Sequence, residues 1–340
     1  MSKPIPPAGI PHRDPQEQVR LFAGMYRSSV NPAQAAWFEA RCEGLGMAFT
    51  RDEMTVLAAL DAPAKVQAFL NEELYYNDDH ASEDQEETTM PPRRILETGM
   101  AHCFEGAMFA YAVNFLHRRD PKLVLLEASQ DADHNLVVCR DPRTKLYGAN
   151  AHSRYKGLDG RPEEFETVRA LVDSYVPFYY SDRTLDPKDL TLVGFSDEID
   201  LVVRYGTAWI DSREQLWDIY YTYIDDTREF HYFSNDPGRP HHYPLIRALE
   251  ENWIRFDAQG KPYVSVADLP PEAQQTWAAF WRTFRAEDGP RPSGPAHEIE
   301  MAFMRVTGTT PIDLSDNAFD LQFYLAAGYR IDQLLTRKPS

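Results

Sequence analysis

The sequence predicts an α+β protein, and three features of the chain carry that prediction. Apolar residues recur at helical spacing over residues 32–74 and again in the aromatic-rich chain after about residue 201. Between these regions, residues 104–116 are apolar nearly all round, which is typical of a helix buried inside a domain. Short β-type runs follow at residues 123–128, 134–140 and 145–151. We therefore expect a central buried helix packed on an antiparallel sheet, with a mainly helical C-terminal region.

Composition along the chain predicts three parts. Residues 1–30 open with closely spaced prolines and are expected to form an extended N-terminal arm. Residues 31–200 contain the buried helix and the strands, and they are expected to form the core domain. Residues 201–340 are expected to form a helical accessory region that packs on the core. A further helix is expected over residues 161–181, where apolar residues recur at helical spacing.

The charge balance argues against two classes of partner. Lys and Arg number 35 against 53 Asp and Glu, which gives a net charge of −18. A surface this acidic repels nucleic-acid phosphates and anionic lipids, and no basic stripe offsets it locally. No segment approaches the roughly 20 apolar residues of a membrane-spanning helix, and the N-terminus lacks the apolar stretch of a secretory signal. We expect no nucleic-acid and no membrane partner.

The cysteine content predicts a reducing compartment. The three cysteines are an odd number and lie far apart in the sequence, so they cannot form a disulfide framework. A cytoplasmic protein is therefore expected. Cys42 and Cys139 fall in apolar helical and strand patterns and are expected to be core residues.

Cys103 is the candidate nucleophile because of its position. It follows Gly99 and stands at the first turn of the buried helix, where unpaired amide N–H groups and the helix dipole stabilise a thiolate. The same N–H groups can bind the oxyanion of a tetrahedral intermediate. Glu105 is expected to make structural hydrogen bonds, since it points away from the thiol.

His134 is the candidate base, and it needs a group that orients its ring. It opens the strand that follows an acidic turn. If residues 141–145 form a five-residue hairpin loop, His134 lies opposite His152 and diagonal to Asn150 on one face of the sheet. Asn150 is the first choice for the orienting group and His152 the alternative. A shift of one residue in the register would move both to the other face.

Taken together, these residues resemble the transglutaminase-like (papain-like) cysteine superfamily. The string GMAHCFEGAMFAYAVNFL is similar to the helix that carries its nucleophile, and DADHNLVVCR is similar to its base strand. RRILETGMAHCFEGA, DADHNLVV and LYGANAHS are more closely similar to a group of uncharacterised bacterial transglutaminase-like proteins, over about residues 60–220. Asn150 stands where the superfamily usually has Asp, and Asn135 replaces the aromatic residue that usually follows the base.

The resemblance implies acyl-transfer chemistry at Cys103, His134 and Asn150. The Cys103 thiolate would attack an amide, ester or thioester carbonyl, and His134 would take and return the proton. The acyl-enzyme would then pass to water or to an amine. The expected substrate is a peptide, a protein side-chain amide, or a small amide or thioester. This chemistry needs no cofactor, no loop indicates Ca²⁺, and the sequence has no nucleotide-binding motif.

Two other functions stay open. The first is a catalytically inactive member of the superfamily that binds a partner through the cleft or through the aromatic C-terminal region; the missing Asp favours it. The second is a metal-dependent hydrolase that uses His102, His134 and His152. The acidic segment 78–87 is expected to be a solvated loop. The histidines His231, His241 and His242 are likewise expected to lie on loops, because they lack the spacing of metal ligands.

Overall fold

A computed structural model describes residues 14–78, 87–128, 131–180, 190–225, 230–232, 248–249, 251–286, 292 and 294–326. Within these residues the protein is a mixed helix and sheet structure, in agreement with the α+β prediction. No helix in the described part of the chain is both long enough and apolar enough to span a membrane.

In the described part of the chain, six α-helices precede the main sheet. They are α1 (Pro15–Tyr26), α2 (Pro32–Gly44), α3 (Arg51–Ala59), α4 (Pro63–Glu72), α5 (Pro92–Thr98) and α6 (Cys103–Leu116). Local signals in the sequence set several of their starts. Asn31 caps α2 by accepting a hydrogen bond from the amide of Gln34. Thr50 and Glu53 form a reciprocal capping box at the start of α3.

Helix α1 corrects the expected N-terminal arm over residues 1–30. Asp14 caps this helix, and Val19 and Phe22 are buried in the core. The prolines suggested extended chain, but Pro15 occupies the first turn of the helix, where its fixed φ and missing N–H are tolerated. The residues before Asp14 lie outside the described part of the chain.

Among the residues that the structure describes, the main sheet has six strands. They are β3 (Lys122–Ala128), β4 (His134–Arg140), β5 (Tyr147–Asn150), β6 (Arg161–Phe165), β7 (Leu192–Ser196) and β8 (Phe230–Tyr232), in the spatial order β6-β5-β4-β3-β7-β8. Strands β3 to β6 pair with their neighbours in antiparallel fashion. The three strands predicted after the buried helix are therefore confirmed. A separate parallel pair joins β1 (Tyr75–Tyr76) to β2 (Met100–Ala101), just before α6.

The expected helix over residues 161–181 is wrong at its start. Residues 161–165 form strand β6 against β5, with exposure alternating along the strand. Helix α7 is confined to Val168–Asp173. The apolar spacing over this region fits both periods, and pairing with the open edge of β5 decides in favour of a strand.

Helix α6 occupies the core as predicted. Nearly all its side chains are buried, among them Phe109 and Val113 with no exposed surface. Leu125 of β3 and Val137 of β4 belong to the same hydrophobic cluster. Gly106 permits a close approach on this helix, because a Cβ there would collide with the Cβ of His152. The helix is thereby fixed against the sheet, and Cys103 at its start is fixed with it.

The chain forms two compact units. The first comprises residues 1–126, 133–179 and 195–230, and includes α8 (Leu201–Tyr205) and α9 (Trp217–Asp225). The second comprises residues 127–132, 180–194 and 231–340. Its elements are β9 (Ile254–Phe256), β10 (Pro262–Val264), α10 (Pro271–Phe284), α11 (Gly294–Thr307) and α12 (Pro311–Ala326). Residues 201–230, which were expected in the C-terminal region, belong to the first unit.

Candidate active site

Cys103 is the first residue of α6, and its side chain is partly exposed to solvent. Short elements of the chain lead directly to Cys103. Gly99 ends α5 in the left-handed conformation, with φ of 68°, which glycine adopts without strain. The two-residue strand β2 then leads directly to His102, the N-cap of α6. The sulfur is therefore at the N-terminus of a buried helix, as the sequence predicted.

The ring of His102 lies beside this thiol. Its Nε2 is 2.7 Å from the carbonyl oxygen of Thr88, and its Nδ1 is 3.2 Å from the amide nitrogen of Phe104. Burial alone would lower the pKa of His102, but the carboxylate of Glu105 and a hydrogen bond with Cys103 raise it to about 10. In the neutral ring Nδ1 caps the helix. In the protonated ring both nitrogens donate, which makes His102 a cation beside the sulfur.

Glu105 makes the structural hydrogen bonds that the sequence analysis expected. Its side chain is fully buried. One carboxylate oxygen accepts from the Thr88 hydroxyl at 2.7 Å and from the Met90 amide at 2.8 Å. The other accepts from the His102 amide at 2.9 Å. This carboxylate therefore fixes the N-terminus of α6 and supplies the negative charge that favours protonation of His102.

His134 is the second imidazole at the thiol. It opens β4 and is buried, and its ring makes a hydrogen bond with the side chain of Cys103. Its Nε2 is 2.8 Å from the carbonyl oxygen of Leu158. Because that carbonyl can only accept, Nε2 carries the proton, and Nδ1 is the nitrogen left for the sulfur. The structure thus brings Cys103 and His134 together, with a backbone carbonyl as the group that orients the imidazole.

The two imidazoles decide the ionisation of Cys103. Burial alone would raise the pKa of the thiol, but hydrogen bonds from His102 and His134, together with their charges, lower it to about 5. The other two cysteines show the opposite behaviour. Burial raises the pKa of Cys42 to about 11 and that of Cys139 to about 12. Both are core residues, as predicted.

Asn150 is not where the sequence analysis placed it. Strand β4 pairs with β5 so that Val137 lies opposite Asn150, one residue away from the expected register. The loop between these strands spans residues 141–146, one residue longer than expected, with Lys145 in the left-handed region at φ of 66°. The odd shift moves Asn150 to the sheet face opposite that of His134.

The contacts of Asn150 are with the helices that cover this opposite face. Its side-chain oxygen accepts from Asn114 of α6 at 2.9 Å, and its amide donates to the carbonyl of Pro63 at 2.9 Å. The expected role of Asn150 in orienting His134 is therefore corrected: that ring donates to the carbonyl of Leu158.

His152, the alternative third residue, lies past the end of β5. It is fully buried, and its ring stacks on Tyr76 with the centroids 5.5 Å apart. Tyr76 in turn reaches Cys103, because its hydroxyl accepts a hydrogen bond from the backbone amide of that residue. Burial and the nearby sulfur raise the pKa of Tyr76, so its hydroxyl keeps a proton that it can donate.

Two further aromatic residues near the thiol were missed in the sequence analysis. Tyr220 and Tyr223 of α9 both pack on Phe104, with ring centroids 5.1 and 5.6 Å away. Burial raises the pKa of each tyrosine, and the charge of the Cys103 sulfur raises it further. The hydroxyl of Tyr223 donates to Asn135, the residue after His134, at 3.0 Å. The aromatic-rich composition after residue 201 was visible, but nothing local placed α9 beside Cys103.

The metal alternative requires at least three ligating side chains close together. Among the residues that the structure describes, no three His, Cys, Asp or Glu side chains form a group able to hold a metal ion. Most of the acidic segment over residues 78–87, together with His241 and His242, lies outside the described residues. No protein-family model matches this chain, and no curated protein matches it.

Proposed function

We propose that this protein is a cysteine-dependent acyl-transfer enzyme with a transglutaminase-like core. The observation that carries the proposal is the pairing of a partly exposed thiol at a helix N-terminus with the ring of His134, whose far nitrogen is held by a carbonyl. A nucleophile, a base and a group that orients the base are the parts that thiol acyl transfer needs. The proposed substrates are peptide or protein side-chain amides, or small amides and thioesters.

In the first half of the reaction, the Cys103 thiolate attacks the substrate carbonyl carbon and forms a C–S bond. The carbonyl π electrons move to oxygen and give a tetrahedral oxyanion. As this intermediate collapses, the bond to the leaving group breaks, and protonated His134 gives its proton to the departing nitrogen, oxygen or sulfur. The product is a thioester on Cys103 with a neutral His134.

In the second half, water or a primary amine attacks that thioester. His134 takes the proton of the attacking group, and the Cys103 thiolate leaves as the C–S bond breaks. The acid or the new amide is released, and the starting thiolate–imidazolium pair is restored. Whether water or an amine reacts depends on what the cleft admits next to the thioester.

The groups around Cys103 suit the developing oxyanion. The backbone amide of Cys103 donates to the hydroxyl of Tyr76, so these two donors lie side by side at the positive end of the helix dipole. A substrate oxygen that takes the place of this contact would receive both hydrogen bonds. Removal of one such donor typically costs about 100-fold or more in rate.

The experiment is to trap the acyl-enzyme. The purified protein is mixed with a 4-nitrophenyl ester and with a thioester of the same short acyl group, and intact mass and peptide mapping follow the acyl chain. We expect one added acyl group on Cys103, formed fastest with the wild type and at least about 100-fold more slowly with His134→Ala. Cys103→Ala should take up none.

Matched controls distinguish this chemistry from simple modification of thiols. Cys42 and Cys139 are present in every sample and should stay unmodified, because both are buried. Adding a primary amine separates the two second-half reactions, since transfer yields an amide and hydrolysis yields only acid. Acylation that is equally fast in His134→Ala, or absent from Cys103, would contradict the proposal and favour an inactive binding module.

A further inference from the structure

Arg161 binds the loop that precedes strand β6. It opens β6, and its guanidinium lies 4.0 Å from the centroid of the buried Tyr175 ring. Its side chain donates to the carbonyl of Asp159 at 2.7 Å and to that of Gly157 at 2.6 Å. A third, longer hydrogen bond of 3.3 Å reaches the carbonyl of Gly160. One cation thus binds three backbone carbonyls of a single short loop.

The loop that Arg161 binds contains the carbonyl that orients the base. Gly157 and Asp159 flank Leu158, whose carbonyl oxygen accepts from Nε2 of His134 at 2.8 Å. With its neighbours turned to the guanidinium, the carbonyl of Leu158 is the one directed to the imidazole. A backbone carbonyl has no side-chain rotamer to lock it, so its position depends on what holds the loop.

We propose that Arg161 is a positioning residue for the candidate active site, acting through the Leu158 carbonyl on the tautomer and orientation of His134. This inference rests on the proposed function for its catalytic consequence, but the Arg161–loop–His134 linkage can be tested on its own. The planar fork of Arg supplies several donors in fixed directions, which a Lys ammonium does not reproduce. The linkage predicts that loosening the loop weakens the base without removing any group that touches the substrate.

The test compares Arg161→Gln with a matched control, Arg140→Gln. Arg140 lies at the other end of β4 and makes the same kinds of contact, since it stacks 5.1 Å from the Tyr147 centroid and donates to the Lys145 carbonyl at 2.9 Å. Two readouts are used on the full-length protein. One is the pH profile of Cys103 alkylation by iodoacetamide, and the other is the Nε2–H signal of ¹⁵N-labelled His134 in NMR spectra.

We expect Arg161→Gln to shift the midpoint of the Cys103 alkylation profile to higher pH, by less than His134→Ala does, and to broaden or remove the His134 Nε2–H signal. The ring signals of His102 and the profile of Arg140→Gln should stay as in the wild type. A folded Arg161→Gln with an unchanged profile and an unchanged His134 signal would overturn the inference. If circular dichroism shows that this variant is unfolded, Arg161→Lys takes its place, and we expect the same changes at smaller amplitude.

The two proposals fail in different ways. If the wild type alkylates like an ordinary thiol and His134→Ala changes nothing, the proposed function fails, yet the His134 Nε2–H signal still tests the role of Arg161. If the wild type shows an activated thiol while Arg161→Gln leaves both readouts unchanged, only the positioning role is overturned.

Discussion

Cys103 shows how hydrogen bonds can reverse the effect of burial on one ionisable group. All three cysteines lose solvent on folding, which opposes thiolate formation. Only Cys103 has imidazoles on its sulfur, and only its pKa falls, to about 5, while those of Cys42 and Cys139 rise. The two imidazoles differ in their anchors, since Glu105 lies beside His102 and the Leu158 carbonyl holds His134. We infer that His102 supplies charge and that His134 moves the proton.

A substitution at Asn150 tests whether that residue belongs to the site or to the scaffold. Asn150→Ala removes hydrogen bonds to Asn114 and to the Pro63 carbonyl inside the protein. We expect a loss of about 1–3 kcal/mol in the free energy of unfolding, because buried polar groups lose their partners. The pH profile of Cys103 alkylation should not change. Urea unfolding and alkylation measure the two quantities.

The exposed Asn71 serves as the control for that experiment. Its side chain accepts from Gln67 at 2.9 Å on the surface of α4, so Asn71→Ala should change the free energy of unfolding by no more than about 0.5 kcal/mol. An Asn150→Ala variant that is fully stable but has lost the activated thiol would show that the residue orients the base after all.

At the scale of elements, the contact between α6 and the residues after β5 determines how closely the helix packs against them. Gly106 faces the Cβ of His152, and His152 stacks on Tyr76, the neighbour of Cys103. The helix start is fixed separately by the Glu105 carboxylate, which accepts from the backbone amide of His102. Cys103 is therefore held from two directions, by the helix cap and by packing along the helix.

Gly106→Ala tests this packing. In an open helix the change would stabilise by about 0.5–1 kcal/mol through backbone entropy. Here the new methyl group would meet the Cβ of His152, so we expect a net loss of about 1–3 kcal/mol in the free energy of unfolding. Gly24→Ala in α1 is the matched control, because nothing lies within 4 Å of a Cβ there. If denaturant unfolding shows that both variants are stabilised equally, the close contact is refuted.

The elements also show which parts of the candidate site the sequence could predict and why it could not predict the others. Local sequence signals predicted that Cys103 lies at a helix N-terminus and that His134 begins a strand. Both positions are confirmed. Asn150 failed because its assignment depended on one hairpin loop being five residues long, and the loop has six. No sequence signal marks the Leu158 carbonyl, since every residue has a backbone carbonyl. Tyr220 and Tyr223 reach the thiol only through long-range packing of α9.

At the scale of the whole molecule, the candidate site belongs to one compact unit. Its parts come from segments far apart in the sequence: β1, the start of α6, the start of β4, the loop at Leu158, and α9. The second unit has its own hydrophobic cluster, which includes Trp253 and Phe303. The thiol and the two imidazoles therefore depend on folding of the first unit, and their ionisation is linked to its stability.

This linkage predicts a pH dependence of stability. Cys103, with its lowered pKa, stabilises the fold above the unfolded thiol value of about 8.5 and loses this contribution as the pH falls through about 5. His102, with its raised pKa, stabilises the fold below about 6.5 and loses this contribution as the pH rises through about 10. The joint contribution is therefore largest between about pH 6.5 and 8.5.

The measurement is the difference in free energy of unfolding between the wild type and Cys103→Ala, from pH 5 to pH 10. We expect a bell-shaped difference that falls on both sides of neutrality, because the variant lacks the thiolate and also the partner that helps to charge His102. A difference that is constant across this range would show that the pKa of Cys103 does not change on folding and that Cys103 does not alter the pKa of His102.

The central claim is that an imidazole on the adjoining sheet activates Cys103, and the pH profile of iodoacetamide alkylation tests it most directly. At pH 6, an ordinary thiol with pKa of about 8.5 is about 300-fold less ionised than Cys103. Because a low-pKa thiolate is also a weaker nucleophile, the rate advantage of Cys103 is smaller than this ratio by a factor of about 40. We predict alkylation of Cys103 with a midpoint near pH 5, about 10-fold faster at pH 6 than a free thiol, and a higher midpoint in His134→Ala. A midpoint near that of a free thiol, unchanged in His134→Ala, would contradict the account.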